Sequence, residues 1–217
     1  MTDHLTRDLP LVPEQSAVIF VDVQNFSAKR KGAEFVDLPD DEFQAKYSWF
    51  FGQLESSVIP NMQKLLAACR AAGVEVIHTT IESLTKDGRD RSLDYKITGF
   101  NVPKGSWDGK VIDELAPGDD EIWLPKSSSS VFVSTHIDYL LRNLGVKQVV
   151  ISGLITDQCV ESAIRDACDL GYLVTQVTDA CATYSLERHE NSIRTIKGYC
   201  RQVTTAELVA ELSSPSA

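Results

Sequence analysis

The feature that most limits the possible folds of this chain is a series of short, largely apolar runs separated by helical patterns. The runs cover residues 17–22, 74–80, 121–125, 147–152, 172–178 and 202–204. The amphipathic helical patterns between them cover residues 54–72, 134–144, 157–170, 186–199 and 206–212. Strands that are apolar on both faces need helices on both faces, so this alternation predicts an α/β fold with a doubly wound parallel sheet.

Length and composition predict one domain over residues 1–217, with a core at about 15–205. The net charge of −10 argues against nucleic acid and anionic membranes as partners, but leaves a small-molecule substrate open. No apolar run reaches the roughly 18 residues of a membrane span, and the N-terminus lacks the basic and apolar parts of a signal peptide. Five cysteines without a CxxC pair fit a reducing compartment, so we expect a cytoplasmic protein.

Two segments are too long to be simple connections. Residues 27–44 are polar and charged, and residues 81–120 separate the second and third predicted strands. Loops of this length in a compact α/β domain are usually lids or interface segments. We therefore expect both segments to be variable loops near a ligand site.

Three chemically complementary residues follow predicted strands: Asp22, Lys126 and Cys159. Ligands of open α/β sheets bind at the carboxyl ends of the strands, so the three are expected at one rim. A carboxylate can take the thiol proton and return it to a leaving amine, and an ammonium stabilises both anions. Backbone N–H groups of the turn between Gly153 and Cys159 can face a developing oxyanion. The set predicts an acyl-transfer site.

Cys159 stands at the start of a predicted helix that opens at about Asp157. Unpaired N–H groups and the positive end of the helix dipole favour thiolate at such a position. A buried structural cysteine is the common alternative. A second alternative is a Cys-His hydrolase or transferase, with His78, His136 or His189 as the base. A third is a non-catalytic binding or redox-sensing protein.

The chain resembles the isochorismatase-like cysteine hydrolases over about residues 15–205. The matching motifs are residues 21–26 (VDVQNF), 124–126 (LPK), 153–160 (GLITDQCV), 165–167 (RDA), 171–172 (GY) and 178–182 (TDACA). The resemblance implies three α/β/α layers, a six-stranded parallel sheet of order 3-2-1-4-5-6, and an Asp22–Lys126–Cys159 triad. It also implies a cis peptide at Leu154–Ile155 and an oxyanion hole from the N–H groups of Ile155 and Cys159. A homodimer or homotetramer is expected from the same resemblance.

The branches of this family imply different chemistry. True isochorismatases lack the cysteine, so Cys159 indicates hydrolysis of a C–N bond in a small amide, ureido or carbamoyl compound. Nicotinamidases hold a metal with an Asp-x-His pattern and a second histidine after the second strand, and residues 79–87 lack it. We therefore expect no metal and no cofactor. Residues 104–108 and 111–115 resemble the ureidoacrylate branch most.

Four further residues are candidates for contact with the substrate. Asn25 and Phe26 follow Asp22, and capping of the next turn is the alternative for both. Ser129 belongs to a serine run beside Lys126 and is equally suited to helix capping. Trp107 has the size to wall a pocket, although large aromatic residues in long loops mostly pin the loop to the body.

Overall fold

The computed structural model describes residues 5–214, which form a six-stranded parallel sheet in the order β3-β2-β1-β4-β5-β6. The strands are β1 (Ser16–Val21), β2 (Glu75–Ile81), β3 (Ile122–Lys126), β4 (Gln148–Leu154), β5 (Leu173–Ala182) and β6 (Arg201–Val203). Every pairing is parallel. The predicted fold class and strand order are confirmed, and each predicted strand lies within a few residues of its observed position.

Helices cover both faces of this sheet. They are α1 (Asn25–Ala28), α2 (Asp40–Gln53), α3 (Ile59–Ala72), α4 (Leu93–Thr98), α5 (Val131–Ser134), α6 (Ile137–Asn143), α7 (Glu161–Asp169), α8 (Leu186–Ile196) and α9 (Thr205–Leu212). Two π-helical turns, Leu54–Val58 and Thr156–Val160, precede α3 and α7. No helix within residues 5–214 combines the length and apolar character needed to cross a membrane.

The central strand shows why the apolar runs lack alternation. In β1, Val18 and Phe20 belong to the core under α2, α3 and α9, while Ala17, Ile19 and Val21 belong to the core under α6 and α7. All five side chains are at most 1% exposed. Because β1 pairs with both β2 and β4, the chain order reverses beside it, and a crevice opens there at the carboxyl ends of the strands.

The prediction of a loop over residues 27–44 is wrong at its end. Helix α2 begins at Asp40 and runs through the π-helical turn into α3, so residues 40–72 are continuously helical. Three acidic residues in the first turn suit the positive end of the helix dipole. Phe43, Tyr47, Phe50 and Phe51 follow at helical spacing and pack around Phe35 and Tyr184. Because the first turn is charged, the sequence pattern did not indicate the aromatic face that follows it.

The segment 81–120 is a long connection, but it is not structureless. It contains α4 and two 3₁₀ turns, Trp107–Gly109 and Asp113–Leu115. Ile112 and Leu115 are fully buried in the core. The side-chain oxygen of Gln24 accepts a hydrogen bond from the Ile81 N–H, and its amide nitrogen donates to the carbonyls of Ile81 and Asp108. These bonds fix the segment against the carboxyl end of β1.

Gly153 allows the two central strands to approach each other next to Asp22. Its φ is 135°, and a β-carbon there would lie 2.1 Å from the carbonyl oxygen of Val21. The register of β4 against β5 shifts between Ile151 and Gly153, where two residues of β4 span five residues of β5. Only glycine fits both the backbone angle and the space.

We expect Gly153→Ala to lower the free energy of unfolding by more than about 3 kcal/mol, because backbone strain adds to a clash that no side chain can relieve. Gly145→Ala is the matched control, since Gly145 also has a positive φ of 74° but open space around its β-carbon position. That control should lose about 1–2 kcal/mol. Urea denaturation followed by circular dichroism measures both, and equal losses would contradict the close-approach argument.

Candidate active site

The three strand-end residues lie together at the carboxyl edge of the sheet. The Nζ atom of Lys126 is 2.7 Å from Oδ2 of Asp22 and 3.4 Å from Sγ of Cys159. Lys126 is fully buried, and Asp22 and Cys159 are 2% and 5% exposed. A carboxylate, an ammonium and a thiol are therefore in contact in a space from which most water is excluded.

Asp22 is held by the strand beside it and by the turn that follows it. Its backbone N–H donates to the carbonyl of Thr79, and the Thr79 hydroxyl lies 3.4 Å from Oδ1. The Ser27 hydroxyl donates to the Asp22 carbonyl. Asp22 has a φ of 54°, in the left-handed region that residues other than glycine seldom occupy. Such strained backbone is common at functional sites.

Lys126 ends β3, and its ammonium group is fully engaged. Besides Asp22 and Cys159, it donates to the Ser128 carbonyl at 2.9 Å. Burial alone would lower the pKa of Lys126, but the negative charge of Asp22 and its hydrogen bond help to raise that pKa above its ordinary value. Burial raises the pKa of Asp22, and the neighbouring Lys126 opposes that rise.

Cys159 lies in the π-helical turn Thr156–Val160 that opens the nucleophile helix, as its sequence position predicts. Its thiol contacts Lys126 and lies 3.8 Å from the Tyr95 hydroxyl. Burial raises the pKa of Cys159 to about 12, although Lys126 favours the thiolate. Burial of Cys159 therefore favours the thiol and opposes Lys126 and the helix start, which favour the thiolate.

The turn between β4 and Cys159 has an unusual backbone. The Leu154–Ile155 peptide bond is cis. Ile155 and Cys159 both line the cavity above the thiol. Their N–H groups are the ones expected to hold an oxyanion, and that role stays a prediction.

A cavity of about 410 Å³ opens above Asp22 and Cys159. This volume is within the usual range for small-molecule sites. Its walls come from six parts of the chain: residues 22–34, Ile81, residues 94–100, Ser129, residues 154–162 and Tyr184. The arrangement gives a small ligand access to the thiol while the carboxylate and ammonium lie beside it.

Of the four residues predicted to contact the substrate, one lines the cavity and three do not. Ser129 lines the cavity. Phe26 is buried and supports the wall through an edge-to-face contact with Phe100, which lines the cavity. Asn25 donates to the Trp107 carbonyl, and neither residue lines the cavity. The bond from the Asn25 side chain to the Trp107 backbone joins α1 to the segment 81–120.

Several cavity residues had no sequence signal. Tyr95, Glu34 and Tyr184 lie in or beside segments without strand periodicity, and only the fold brings them to the thiol. Ser27 follows the VDVQNF motif by one residue and was the most accessible to sequence reasoning. Serine after a catalytic carboxylate is too common to identify such a site.

The histidines are placed elsewhere. His78 is buried inside β2, stacked on Phe20. His136 is exposed at the start of α6, and His189 bonds through Nδ1 to the Thr156 hydroxyl. None of the three lines the cavity in the described chain. Within residues 5–214, no group of three His, Cys, Asp or Glu side chains is arranged to hold a metal ion.

Comparison with known proteins assigns nearly the whole described chain to one family. The model of the isochorismatase domain matches residues 16–208. Ureidoacrylate amidohydrolase RutB of Rhizobium rhizogenes is 29% identical, with 91% of this chain and 87% of the relative covered. The RutB protein of Acinetobacter baylyi is 31% identical, with 88% and 80% covered.

Solved structures agree with this placement. A cysteine hydrolase from Pseudomonas syringae pv. phaseolicola superposes with a TM-score of 0.81 at 27% identity, covering 98% of both chains. The family resemblance inferred from the sequence motifs is confirmed. This chain belongs to the isochorismatase family of hydrolases.

Proposed function

We propose that this protein is a cysteine amidohydrolase that cleaves a C–N bond of a small amide, ureido or carbamoyl compound and releases ammonia or an amine. The observation that carries the proposal is the contact of Lys126 with both Asp22 and Cys159 at the base of a small cavity. This set supplies a nucleophile, a proton carrier and a fixed positive charge. It needs no histidine.

The first step is activation of the thiol. Because the pKa of Cys159 is raised to about 12, the thiol does not ionise by itself at neutral pH. The Asp22 carboxylate accepts its proton as the sulfur attacks the substrate carbonyl. Lys126 remains beside the sulfur and stabilises the negative charge while it passes to the carbonyl oxygen. The N–H groups of Ile155 and Cys159 then hold that oxyanion.

The second step breaks the C–N bond and regenerates the enzyme. Asp22 delivers the proton to the departing nitrogen, so an amine or ammonia leaves and a thioester to Cys159 remains. Water attacks the thioester, with Asp22 accepting its proton. The Cys159 sulfur leaves and recovers that proton, which returns the carboxylate and thiol to their resting state.

The substrate class rests on chemistry and kinship together. A thiol nucleophile suits acyl transfer, and the curated relatives in the comparison are named as ureidoacrylate amidohydrolases. At about 29% identity, a relative's substrate does not transfer to this chain. A small amide, ureido or carbamoyl compound is therefore the level at which we propose the substrate.

We also propose assembly as a homodimer or homotetramer. Leu93 and Ile97 on α4 are 74% and 75% exposed, beside the Asp94 and Tyr95 side of the cavity. Exposed apolar side chains next to a cavity are typical of interaction surfaces. No other chain is needed for the proposed proton transfers.

Intact-mass spectrometry should detect an acyl adduct on the wild-type protein during turnover of an amide that it hydrolyses. Cys159→Ala should show neither adduct nor ammonia release, because it lacks the sulfur. Cys159→Ser is the informative companion, since its weaker nucleophile should slow acylation, and its ester should hydrolyse more slowly than the thioester. Ammonia release by Cys159→Ala at the wild-type rate would refute the covalent mechanism.

Substitution of the proton carrier should separate the proposed triad from a Cys-His mechanism. We expect Asp22→Asn to lower kcat by about 10²–10⁴-fold, the usual contribution of a positioned acid–base group. His136→Ala, which alters an exposed position, should retain wild-type kcat, as should His189→Gln. Steady-state ammonia assays decide the matter, and loss of activity in a histidine variant with retained folding would favour the alternative.

Removing the Asp22 charge should make the Cys159 thiol easier to ionise even though it lowers the turnover rate. Asp22 raises the pKa of Cys159, so Asp22→Asn should shift the pH profile of Cys159 alkylation to lower pH while turnover falls. Lys126→Met should shift the profile to higher pH, because the charge that favours thiolate is gone. Iodoacetamide labelling quantified by peptide mass spectrometry measures both profiles. Slower alkylation of Asp22→Asn at neutral pH would contradict the assignment.

A further inference from the structure

We infer that Glu34 determines substrate specificity by accepting a hydrogen bond from an ammonium or other N–H donor on the substrate, and that the cavity rejects substrates bearing a carboxylate. This inference rests on the proposed function and names the substrate class more narrowly. It assigns a role to a residue that takes no part in the proton transfers described above.

Glu34 presents an unsatisfied acceptor to the cavity. Its side chain lines the same cavity as Asp22 and Cys159. The Tyr184 hydroxyl donates to Oε1, whereas Oε2 is buried and has no hydrogen-bond partner among residues 5–214. A buried carboxylate oxygen without a donor is unfavourable until something supplies one. A ligand with an N–H donor that enters the cavity could supply it.

The backbone that carries Glu34 is fixed by residues before and after it in the sequence. Gly32 lies so close to α1 that a β-carbon there would be 2.2 Å from the Asn25 and Phe26 carbonyl oxygens. Phe35, which is fully buried, anchors the other side among aromatic rings. Glu34 between them has little freedom to turn away, so its acceptor is preorganised for a ligand.

The charge of the cavity supports the same conclusion. Four lining side chains carry a carboxyl group: Asp22, Glu34, Asp94 and Asp157. Asp22 is paired with Lys126, and Asp157 is paired with Arg188. Lys126 lies at the base of the cavity but is already paired with Asp22, and no other Lys, Arg or His side chain among residues 5–214 is in contact with the thiol or lines the cavity. A substrate carboxylate would therefore meet like charges without a lining cation, whereas an ammonium would meet Glu34 and Asp94.

The protonation of Glu34 fits a role in binding a donor. Burial raises its pKa to about 7, while the hydrogen bond from Tyr184 opposes that rise. A donor or cation against Oε2 favours the carboxylate form. A bound ammonium would therefore lower the pKa of Glu34 and hold it as the carboxylate, whereas a bound anion would raise it further.

Two matched series of substrates test the inference. The amides are 3-aminopropanamide, butanamide and succinamate, and the ureas are 2-aminoethylurea, propylurea and 3-ureidopropanoate. Within each series only the distal group changes, from ammonium to methyl to carboxylate. Wild-type enzyme should give the highest kcat/KM with the ammonium compound and the lowest with the carboxylate compound in the series that it hydrolyses. Preference for the carboxylate compound would overturn the inference and leave the hydrolase mechanism intact.

Glu34→Gln identifies the residue responsible. The amide keeps an oxygen for Tyr184 but has no negative charge, so kcat/KM for the ammonium compound should fall at least about tenfold, with little change for the methyl compound. Glu42→Gln is the matched control, since Glu42 pairs with Lys46 on the surface of α2. Equal losses with the ammonium and methyl compounds would show that Glu34 is only structural. Thermal melts verify that the variants fold.

A binding experiment separates this inference from the proposed function. Calorimetric titration of Cys159→Ala with the same six compounds measures discrimination without any chemistry. Tighter binding of the ammonium compounds, lost in Cys159→Ala/Glu34→Gln, supports the inference even if wild-type enzyme releases no ammonia. In that case the hydrolase proposal would fail alone. Equal binding of ammonium and carboxylate compounds would overturn the inference.

Discussion

The buried ion pair between Asp22 and Lys126 is the interaction on which the rest of the site depends. Both groups are almost completely removed from water, and each ion loses several kcal/mol of hydration on burial. Removal of either partner would leave the other as an uncompensated buried charge, at a cost of about 3–5 kcal/mol. The Ser128 carbonyl and the Thr79 hydroxyl provide further polar contacts. The pair therefore constrains the local fold as strongly as it serves chemistry.

The order of the sheet explains how such a pair can exist. Asp22 and Lys126 end strands that are separated by β2, so their side chains meet above its carboxyl end. Cys159 reaches the same point from the opposite side of β1, because β4 pairs with β1 there and leads directly into the helical turn. Three distant parts of the chain thus supply one group each, and the sheet fixes their separation before any substrate arrives.

The sequence predicted the parts of this structure that follow from local pattern. Apolar runs located the strands, and the polar residues that end them located Asp22, Lys126 and Cys159. It failed where long-range packing decides. The aromatic face of α2 was hidden behind three acidic residues, and Glu34 reaches the cavity only because Gly32 packs on the backbone of α1. The sequence also shows a helix start at Cys159 but does not show how completely that start is buried.

The raised pKa of Cys159 changes how the site should be understood. A permanently ionised thiolate would react with any electrophile that entered the cavity. Here burial keeps the thiol protonated until a carbonyl is in position, and Asp22 then takes the proton in the same event. Reactivity is thereby tied to occupancy of the cavity. What the lining residues bind consequently decides not only which substrate enters but also when the nucleophile forms, so specificity and activation depend on the same side chains.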